Sequence, residues 1–536
     1  MAKSASSFGS YFKLPNPGLR AYFSHVESGN PDEYRTTFYR GKSLESVLNG
    51  WARTLGSIKY DWPSMFEFEN DLRKKVGPMS VQKPLKERLD DIDSYYDSIS
   101  LESKPLDQGA LDAVLKEWNP LRGMDIRSQE RTTELMKKST NSGSPYFTKR
   151  RRVVKDTIPC SLLVQDPEVR QILTNRKQGW NSAAVLGWRG QEGGPTRDDV
   201  KQRVVWMFPF AVNIRELQFY QPAIEFAQHS KLVPAWVSME EVDNRITNMF
   251  DSKGRNDAVI CTDFSKFDQH FNADMQSAAR FIIQNLLSRS PSSVDWLQNT
   301  FPVKYMIPLA YDWNKIRVGQ HGMGSGSGGT NFDETLTHRA LQYEAAQSIG
   351  SKLNPYSQCL GDDGVLTYPG ITADNVMQTY SSHGQDMNLD KQHVSKHDCI
   401  YLRRWHQDDY RIDGVCAGVY STYRALGRLC EQERFYDPEI WGPKMVALRQ
   451  LSIIENVKYH PLREQFLRYC IKGDKYRLGL DIPGFLSNIE REAEKAIDEM
   501  PDFLGYTKSL QFEAGTDPHS TGIGEWWVVK TLRNLK

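Results

Sequence analysis

Short apolar runs and longer amphipathic stretches alternate along the chain, and they predict its main elements. Residues 258–261 form an apolar run, which predicts a buried strand that ends just before Asp263. An amphipathic pattern over residues 273–287 predicts a helix, and Asp268 lies in the turn between the two elements. Because an unpaired charge is costly to bury, a carboxylate at the end of a buried strand is a stronger functional signal than one on an exposed turn.

A second pair of short apolar runs, within residues 356–368, surrounds two adjacent aspartates. Asp362 and Asp363 stand between Gly361 and Gly364, a pattern that predicts a β-hairpin with both carboxylates on its turn. Neighbouring carboxylates repel each other, so the pair favours a hard divalent cation such as Mg²⁺. Taken alone, the same residues are also typical of a solvated surface turn.

A glycine-rich loop precedes the hairpin. Six of the eleven residues 319–329 are glycine, and an amphipathic helix follows to about residue 349. A glycine loop that leads into a helix N-terminus can bind an anion or a ribose-phosphate through backbone N–H groups. The loop lacks the Gly-Lys-Ser/Thr of a Walker A motif, and it is not a Gly-x-Gly-x-x-Gly that opens a βαβ unit.

Two basic stretches lie earlier in the chain. Residues 201–206 have the pattern of a strand, in which Lys201 and Arg203 project from one face and can bind a triphosphate. A Ser/Gly/Pro loop that contains Ser142 and Gly143 suits a passing phosphate backbone, although a solvated basic loop has the same composition. Four consecutive cations follow this loop: Lys149, Arg150, Arg151 and Arg152.

Composition limits the class of protein. The length of 536 residues suggests about three subdomains, and the net charge of +1 means that any nucleic-acid contact comes from local basic patches. Seven scattered cysteines without metal-ligand spacing indicate free thiols in a reducing compartment. No apolar run has the length of a transmembrane helix and the N-terminus lacks a signal-peptide core, so no membrane partner is expected.

The order of these features predicts a reaction. Two strands that each end in carboxylates, brought side by side, form a two-metal site. Such a site activates a 3′-hydroxyl and stabilises the leaving pyrophosphate in an in-line displacement. A metal-dependent phosphohydrolase would use the same carboxylates, but it would not need the glycine loop.

At this point the chain resembles the viral RNA-dependent RNA polymerases, in the branch of small double-stranded RNA viruses. It is similar to picobirnavirus polymerases, with partitivirus enzymes as neighbours, and the resemblance covers residues 139–405 by motif. Seven stretches follow the order of the family motifs G, F, A, B, C, D and E: 142–145, 201–203, 263–268, 325–330, 361–363, 388–391 and 401–404. Each of these motifs alone is common, whereas all seven in this order are specific to the family.

The resemblance implies a role for each motif. Asp263 and Asp362 are expected to bind two Mg²⁺ ions, for which Mn²⁺ can substitute, and Asp363 is expected to contribute more weakly. Lys391, with Lys396 as an alternative, is expected to be the general acid that protonates pyrophosphate. The residues expected around the nucleotide are Lys201, Arg203, Asp268, Ser325, Thr330 and Asn331. The residues expected along the RNA are Ser142, Gly143, Lys149, Arg150, Arg151, Arg152 and Arg403.

One residue departs from the family pattern. Many relatives carry Asn four residues after the motif B threonine, whereas this chain has Glu334. A carboxylate accepts a hydrogen bond from a 2′-hydroxyl but cannot donate one. Asn331 is an alternative for that role, so the sequence leaves the partner of Asp268 open.

The resemblance also implies an α+β fold: a closed right hand of fingers, palm and thumb, with a small antiparallel palm sheet backed by helices. The expected parts are residues 1–217 (N-terminal region and fingers), 218–280 (palm with motif A), 281–317 (fingers insertion), 318–405 (palm with motifs B to E) and 406–536 (α-helical thumb and tail). Amphipathic patterns over residues 444–456, 462–471 and 485–500 predict thumb helices. The tail over residues 516–530 is expected to begin as a turn-rich loop, and its tryptophan pair either stacks on a nucleotide or packs on the protein.

The implied function is template-directed synthesis of RNA from NTPs, which replicates and transcribes a viral double-stranded RNA genome. The expected partners are the RNA template, the nascent RNA, NTPs and a viral capsid protein, in the virion interior and the host cytoplasm. The alternative is a catalytically decayed polymerase fold that binds RNA in a virus particle, and the intact aspartates argue against it. A reverse transcriptase shares the palm but needs a bulky side chain where Asp268 stands.

Overall fold

The structure is a computed structural model that describes residues 3–4, 9, 11–12, 17–166, 169–174, 179–499 and 522–535. The predicted loop over residues 516–521 lies outside the described residues. In chain order the strands are β1 (Lys3–Ser4), β2 (Tyr34–Arg35), β3 (Cys160–Asp166), β4 (Val169–Thr174), β5 (Trp180–Asn181), β6 (Ala184–Gln191), β7 (Lys201–Met207), β8 (Val259–Thr262), β9 (Phe264–Ser265), β10 (Leu309–Asp312), β11 (Lys315–Val318), β12 (Gln358–Leu360), β13 (Asp363–Leu366), β14 (Asp386–Met387), β15 (His393–Ser395), β16 (Asp398–Tyr401), β17 (Arg404–Gln407), β18 (Val419–Tyr420) and β19 (Glu431–Gln432).

The described α-helices surround and extend these strands. In chain order they are α1 (Pro17–Ser28), α2 (Leu44–Leu55), α3 (Pro63–Arg73), α4 (Leu89–Asp97), α5 (Gln108–Glu117), α6 (Gln129–Leu135), α7 (Val154–Thr157), α8 (Phe210–His229), α9 (Pro234–Val237), α10 (Met239–Ser252), α11 (Ala273–Leu286), α12 (Pro291–Asp295), α13 (Thr330–Ser348), α14 (Ala373–Ser381), α15 (Thr422–Cys430), α16 (Pro438–Trp441), α17 (Pro443–Glu455), α18 (Arg463–Gly473), α19 (Ile489–Glu499) and α20 (Trp527–Asn534).

A small antiparallel sheet in the order β12-β13-β8-β15 lies at the centre of the fold. Every residue of β8 is buried, as its apolar sequence predicts. Helices α5, α10, α11 and α13 contribute apolar side chains to the core against this sheet. The predicted hairpin, the strand before Asp263 and the two following helices are therefore confirmed, and so is the mixed α+β character.

A second sheet, in the order β1-β11-β10-β6-β7, presents the basic strand. Strand β7 pairs antiparallel with β6, with Arg203 opposite Arg189 and Lys201 opposite Gln191. The inward residues Val204 and Trp206 are buried, whereas Lys201 and Arg203 are exposed. The alternation confirms the predicted strand, which extends one residue further than expected.

Helices α15, α17, α18, α19 and α20 share one apolar core near the C-terminus. Three of them, α17, α18 and α19, confirm the predicted thumb helices with small changes of their ends. Trp526 and Trp527 pack against this core, and the N–H groups of Trp527 and Val528 donate to the Glu455 carboxylate. Packing, one of the two alternatives for the tryptophan pair, is therefore what the structure shows.

Part of the N-terminal region packs in the same core. Phe38, Trp51, Met65 and Phe68 are buried among the C-terminal helices. They belong to residues 1–217, which the sequence assigns to the N-terminal region and fingers, and their side chains stabilise the core that the C-terminal helices share. The domain boundaries themselves stay a prediction.

Two remaining expectations concern the cysteines and membranes. All seven cysteines are free and buried. In the part of the chain that the structure describes, the helices are too short or too polar to cross a bilayer.

Candidate active site

Strand pairing brings the predicted carboxylates together. In the antiparallel pair of β8 and β13, Thr262 stands opposite Gly364. Asp263 follows Thr262 and Asp363 precedes Gly364, so the two acids lie side by side where β8 ends and β13 begins. Asp362 is the neighbouring residue on the β12–β13 turn. The carboxylates of Asp263, Asp362 and Asp363, separated by about a hundred residues in the chain, therefore share one edge of the sheet.

Helix α13 fixes the turn that carries Asp362. The N–H of Gly361 donates to Thr335 Oγ1 at 3.0 Å, and its carbonyl accepts from His338 Nδ1 at 2.8 Å. Gly361 has φ +57°, a conformation that favours glycine. Burial lowers the pKa of His338 to about 4, so the ring is neutral at pH 7 and donates through Nδ1. Helix α13 therefore holds the turn at Gly361, while the side chain of Asp362 on this turn is exposed.

The carboxylates destabilise one another electrostatically. Burial and the neighbouring Asp362 raise the pKa of Asp363 to about 7, although the Leu402 N–H donates to Asp363 Oδ2 at 2.9 Å and lowers it in part. The Asp362 side chain is exposed, yet the protein around it and the charge of Asp268 raise its pKa. The charge of Arg203 lowers that pKa in part. A cation between these groups would relieve the repulsion.

The donor set fits a divalent ion that also binds substrate. Within the described residues, no group of three or more His, Cys, Asp or Glu side chains is arranged to hold a metal ion without other ligands. Mg²⁺ commonly takes one or two protein carboxylates and fills its other positions with waters and substrate phosphates. Asp263 and Asp362, both open to the cleft, provide carboxylates of that kind.

The β16–β17 hairpin lies next to the carboxylates. Its two-residue turn, Leu402 and Arg403, has φ of 53° and 60°, as in the turns that join tightly twisted strands. Arg403 Nη1 lies 3.9 Å from Glu192 Oε1, and burial together with Arg424 lowers the Arg403 pKa to about 10. The hairpin predicted at residues 401–404 is confirmed, and a contact of Arg403 with RNA stays a prediction.

Lys201 and Arg203 of β7 approach the same cleft. Although the Lys201 side chain is exposed, the protein that partly surrounds it, followed by the charges of Lys75 and Arg403, lowers its pKa, and Asp263 partly opposes this change. The charge of Arg203 in turn lowers the pKa of Asp362. Both cations therefore lie within electrostatic reach of the carboxylates. A triphosphate at this place would lie between the positive charges of Lys201 and Arg203 and the negative charges of the aspartates.

The glycine loop packs directly on the basic strand. A Cβ built on Gly326 would lie 1.5 Å from the Trp206 carbonyl oxygen, so only glycine fits at this position. Ser325 Oγ accepts from the Trp206 N–H at 3.3 Å and donates to the Val204 carbonyl at 3.4 Å. The Ser325 hydroxyl thus joins the loop to β7, and its contact with a ribose stays a prediction.

Two further loop residues named by the sequence have local partners. Thr330 Oγ1 donates to the Gly324 carbonyl at 3.2 Å and closes the loop onto the start of α13. Asn331 Oδ1 accepts from Trp236 Nε1 at 2.8 Å, while its amide nitrogen points toward Gly361. Asn331 therefore reaches Gly361 in the β12–β13 turn.

Sequence reasoning missed Glu216, which fixes the loop from α8. Its buried carboxylate accepts from Ser327 Oγ and, at 3.2 Å, from the Gly328 N–H. Burial raises the pKa of Glu216, partly offset by the charge of Lys304. Glu216 is one of two glutamates in a mostly apolar helix and belongs to no motif, so the sequence offers no signal for this role.

Sequence reasoning also missed Gln392, the residue after Lys391. The Gln392 amide accepts from the Asp263 N–H and donates to the Asp263 carbonyl, both at 2.9 Å. These two bonds join motif D to the backbone of the motif A aspartate. Lys391 ends a short 3₁₀ turn, Leu389–Lys391, and its side chain is exposed beside this junction. A catalytic role for Lys391 stays a prediction.

The structure places Glu334 in the neighbourhood of Asp268. The Glu334 side chain is 5% exposed and lies within electrostatic reach of the Asp268 carboxyl. Burial and the nearby Asp268 and Asp362 raise the pKa of Glu334 well above its ordinary value. The Asp268 carbonyl accepts from the Met323 N–H at 2.9 Å, which joins this residue to the glycine loop.

The basic stretch near residue 150 divides into inward and outward side chains. Ser142 is fully buried and its hydroxyl accepts from the Thr148 N–H at 3.2 Å. Gly143, with φ +60°, packs against the Phe208 carbonyl. Arg150 donates to Asn213 at 2.9 Å, and burial lowers its pKa to about 10. The exposed cations of this stretch are Lys149, Arg151 and Arg152.

A buried ion pair supports the start of α13. Lys304 Nζ lies 3.0 Å from Asp333 Oδ2, and both side chains are fully buried. The hydroxyls of Tyr220 and Tyr305 donate to Asp333 at 2.8 and 2.6 Å. This network lies directly beneath the glycine loop, and nothing in the local sequence around Lys304 indicates it.

Replacing Lys304 with Met is expected to lower the free energy of unfolding by about 3–5 kcal/mol, because Asp333 is left as an unpaired buried charge. The loss is measured as a lower apparent Tm. The double variant Lys304→Met with Asp333→Asn removes both charges, keeps an acceptor for the tyrosines, and is expected to recover part of the loss. An unchanged Tm in the single variant would contradict the assigned pairing.

Comparisons with known proteins agree with this geometry. A family model described as viral RNA-dependent RNA polymerase matches residues 123–412. The chain is 64% identical over 527 residues to a potential RNA-dependent RNA polymerase of human picobirnavirus (strain Human/Thailand/Hy005102/-), and the match covers 98% of each protein.

Two crystal structures of the RNA-dependent RNA polymerase of a human picobirnavirus also match. One is 63% identical with a TM-score of 0.94, and the other, an insertion-loop deletion mutant, is 60% identical with a TM-score of 0.92. Both matches cover the whole of each chain. The predicted right-hand polymerase fold and the similarity to picobirnaviruses are thereby confirmed. The chain belongs to the viral RNA-dependent RNA polymerases, nucleotidyltransferases whose family uses divalent metal ions.

Proposed function

We propose that this polymerase uses Asp263, Asp362 and Asp363 for a two-metal transfer of nucleotides from NTPs. The observation that carries the proposal is the register of β8 and β13. The end of β8 lies beside the start of β13, so the acids meet at one edge of the sheet. Two Mg²⁺ ions, or Mn²⁺ in their place, would activate the 3′-hydroxyl and stabilise the leaving pyrophosphate. Asp263 and Asp362 are the main ligands, and Asp363, with one oxygen bound by Leu402 N–H, contributes less.

The side chains around the carboxylates position the nucleotide. Lys201 and Arg203 bind the triphosphate, since both approach the cleft from one strand face. Asp268 accepts the ribose 2′-hydroxyl, and Ser325, Thr330 and Asn331 shape the ribose side of the site. Lys391 donates the proton to pyrophosphate. Support for Lys391 comes from Gln392, whose two bonds to the Asp263 backbone bring this segment to the metal ligands.

The RNA path runs over the exposed basic residues. Lys149, Arg151 and Arg152 contact template phosphates, whereas Ser142, Gly143 and Arg150 shape the loop that presents them. Arg403 contacts the priming strand from the hairpin next to Asp363. The exposed side chains of the first group and the inward bonds of the second support this division.

Replacing Lys149, Arg151 and Arg152 together with Ala is expected to weaken RNA binding and its salt dependence. The slope of log K against log salt is negative, and each lost phosphate contact reduces its magnitude by about 0.7 for a single strand. The three substitutions together are expected to reduce it by about 2. Fluorescence anisotropy over a salt series measures the slope. A matched control replaces three exposed cations elsewhere, Lys116, Arg122 and Lys352. Equal slopes for parent and triple variant would remove these residues from the RNA path.

The biological setting follows from family membership as part of the proposal. The enzyme replicates and transcribes a double-stranded RNA genome, in the virion interior and the host cytoplasm, with a viral capsid protein as a partner. Recovery of the polymerase with purified virus particles tests this setting. A polymerase absent from particles would contradict the capsid partnership and leave the chemistry untouched.

Nucleotide incorporation by the purified chain on a defined RNA template tests the activity. We expect Mg²⁺-dependent extension with NTPs that matches the template, and much weaker extension with dNTPs. The opposing hypothesis is a decayed polymerase that only binds RNA. Binding of the template without any incorporation, under Mg²⁺ and Mn²⁺ alike, would favour that hypothesis.

A further inference from the structure

Gln202 stands between Lys201 and Arg203 at the start of β7, and its side chain projects from the opposite face of the strand. Strand β7 is the last in the order β1-β11-β10-β6-β7, so β6 is its paired neighbour among the described strands. In the second half of β7, the buried side chains of Val204 and Trp206 hold the strand by packing. The first half has no buried apolar side chain, so another contact has to position the two cations.

The Gln202 side chain makes four hydrogen bonds on the inward face of β7. Its Oε1 accepts from the Lys83 N–H at 3.0 Å and from Arg88 Nη1 at 3.1 Å. Its Nε2 donates to the Val81 carbonyl at 2.9 Å and to the Val200 carbonyl at 3.2 Å. An amide side chain offers two N–H donors and two acceptor lone pairs, so its whole capacity is used. One side chain therefore joins the start of β7 to the backbone of residues 81–83.

The segment that contacts Gln202 is closely packed against the β6–β7 pair. Arg88 is 1% exposed, and its guanidinium lies over the Trp188 ring of β6. The Arg88 atoms Nε and Nη2 are buried without a hydrogen-bond partner among the described residues, so the acceptor available to this cation there is Gln202 Oε1. A Cβ built on Gly190, which stands opposite Gln202 on β6, would lie 1.9 Å from the Met79 carbonyl oxygen. Only glycine allows so close an approach at this position.

We propose that Gln202 is a positioning residue for the triphosphate of the incoming nucleotide, because it holds the start of β7 so that Lys201 and Arg203 face the cleft. Successive side chains of a strand point to opposite faces, so fixing Gln202 on one face sets the direction of both cations on the other. The inference rests on the proposed binding of the triphosphate by these cations. The Gln202 side chain is bonded on the inward face, so it acts through Lys201 and Arg203.

The test compares the affinities of two ligands for the complex of the polymerase with an RNA template and primer. One ligand is a GTP analogue that cannot be cleaved between its α and β phosphates. The other is GMP, which shares the base and the sugar but lacks the β and γ phosphates. Gln202→Ala is expected to weaken binding of the analogue about ten-fold and binding of GMP less than about two-fold, because the displaced cations meet only the longer phosphate chain.

Two further variants control this measurement. If Gln202→Ala fails to fold, Gln202→Met, which keeps the length of the side chain and makes none of the four bonds, replaces it. Gln191→Ala is the matched control, because Gln191 stands opposite Lys201 on β6 and its buried Oε1 has no donor among the described residues. Its affinities for both ligands should equal those of the parent.

The double variant Lys201→Ala with Arg203→Ala separates the inference from the function on which it rests. It is expected to weaken binding of the analogue at least ten-fold, to about the order expected for charged hydrogen bonds. Adding Gln202→Ala should weaken it less than about three-fold further, because residues that act as a unit are not additive. If the double variant binds the analogue like the parent, the triphosphate role of the cations fails, and the inference fails with it. If only the double variant is weakened, or if Gln202→Ala weakens both ligands equally, the inference alone is overturned.

Discussion

The Asp362→Asn variant is expected to lose RNA synthesis by about 10²- to 10³-fold or more, since it removes a charged ligand at the reacting phosphate. The side chain faces the cleft and makes little packing contact, so folding and RNA binding should stay near those of the parent. Primer extension with Mg²⁺ measures synthesis, and a thermal melt with a binding titration measures the rest.

Asp61→Asn is the matched control, because Asp61 is an exposed aspartate far along the chain from the motif stretches. It carries the same loss of charge and should leave synthesis unchanged. Near-parent polymerisation by Asp362→Asn would show that the metal assignment is wrong. A variant that melts at a much lower temperature would instead show that Asp362 stabilises the β12–β13 turn.

The Asp268→Ala variant is expected to narrow the preference for NTPs over dNTPs about ten- to hundred-fold. A carboxylate at this position accepts the 2′-hydroxyl, and a buried polar group left without its partner costs about 1–3 kcal/mol. GTP use should therefore fall far more than dGTP use. Single-nucleotide incorporation of each by parent and variant, on one RNA template, gives the two kcat/KM values.

The control for this measurement is Asp374→Ala, which removes an exposed aspartate from the first turn of α14. Its sugar preference should equal that of the parent. Equal losses of GTP and dGTP use in Asp268→Ala would mean that Asp268 is structural. The Met323 N–H bond to its carbonyl indicates what that structural role would be, support of the glycine loop.

Local patterns were sufficient to predict the elements that carry the carboxylates. A buried apolar run, a Gly-Asp-Asp turn and a glycine loop before a helix each depend on neighbours in the sequence, and each has the predicted structure. Asp263 and Asp363 lie together because β8 and β13 pair antiparallel with Thr262 opposite Gly364. The order of the motifs along the chain then predicted the fold.

Side chains that act across long separations could not be predicted in the same way. Glu216, Lys304 and Gln392 each bond to groups more than 25 residues away in the chain. Their partners are defined only by the folded backbone, so no local pattern marks them. The packing of N-terminal aromatic residues such as Trp51 into the thumb core has the same origin.

Charge was the least reliable signal in the sequence. Four adjacent cations suggested one RNA-binding cluster, but Arg150 turns inward to Asn213 and lies over the Phe210 ring. A 3₁₀ turn over Arg150–Arg152 sends consecutive side chains in different directions, so the cluster divides. The role of Glu334 was open for a related reason, because burial beside Asp268 and Asp362 raises its pKa and only the folded chain brings these acids together.

The most direct test of the central claim is to locate bound metal in crystals of the parent chain with an RNA template and primer. Crystals grown with Mn²⁺ and a GTP analogue that cannot be cleaved between its α and β phosphates provide an anomalous signal for the metal alone. We expect two Mn²⁺ peaks at the edge of the central sheet, both bound to Asp263 and Asp362. Peaks elsewhere, or no peak at these carboxylates in crystals that hold the analogue, would contradict the two-metal assignment.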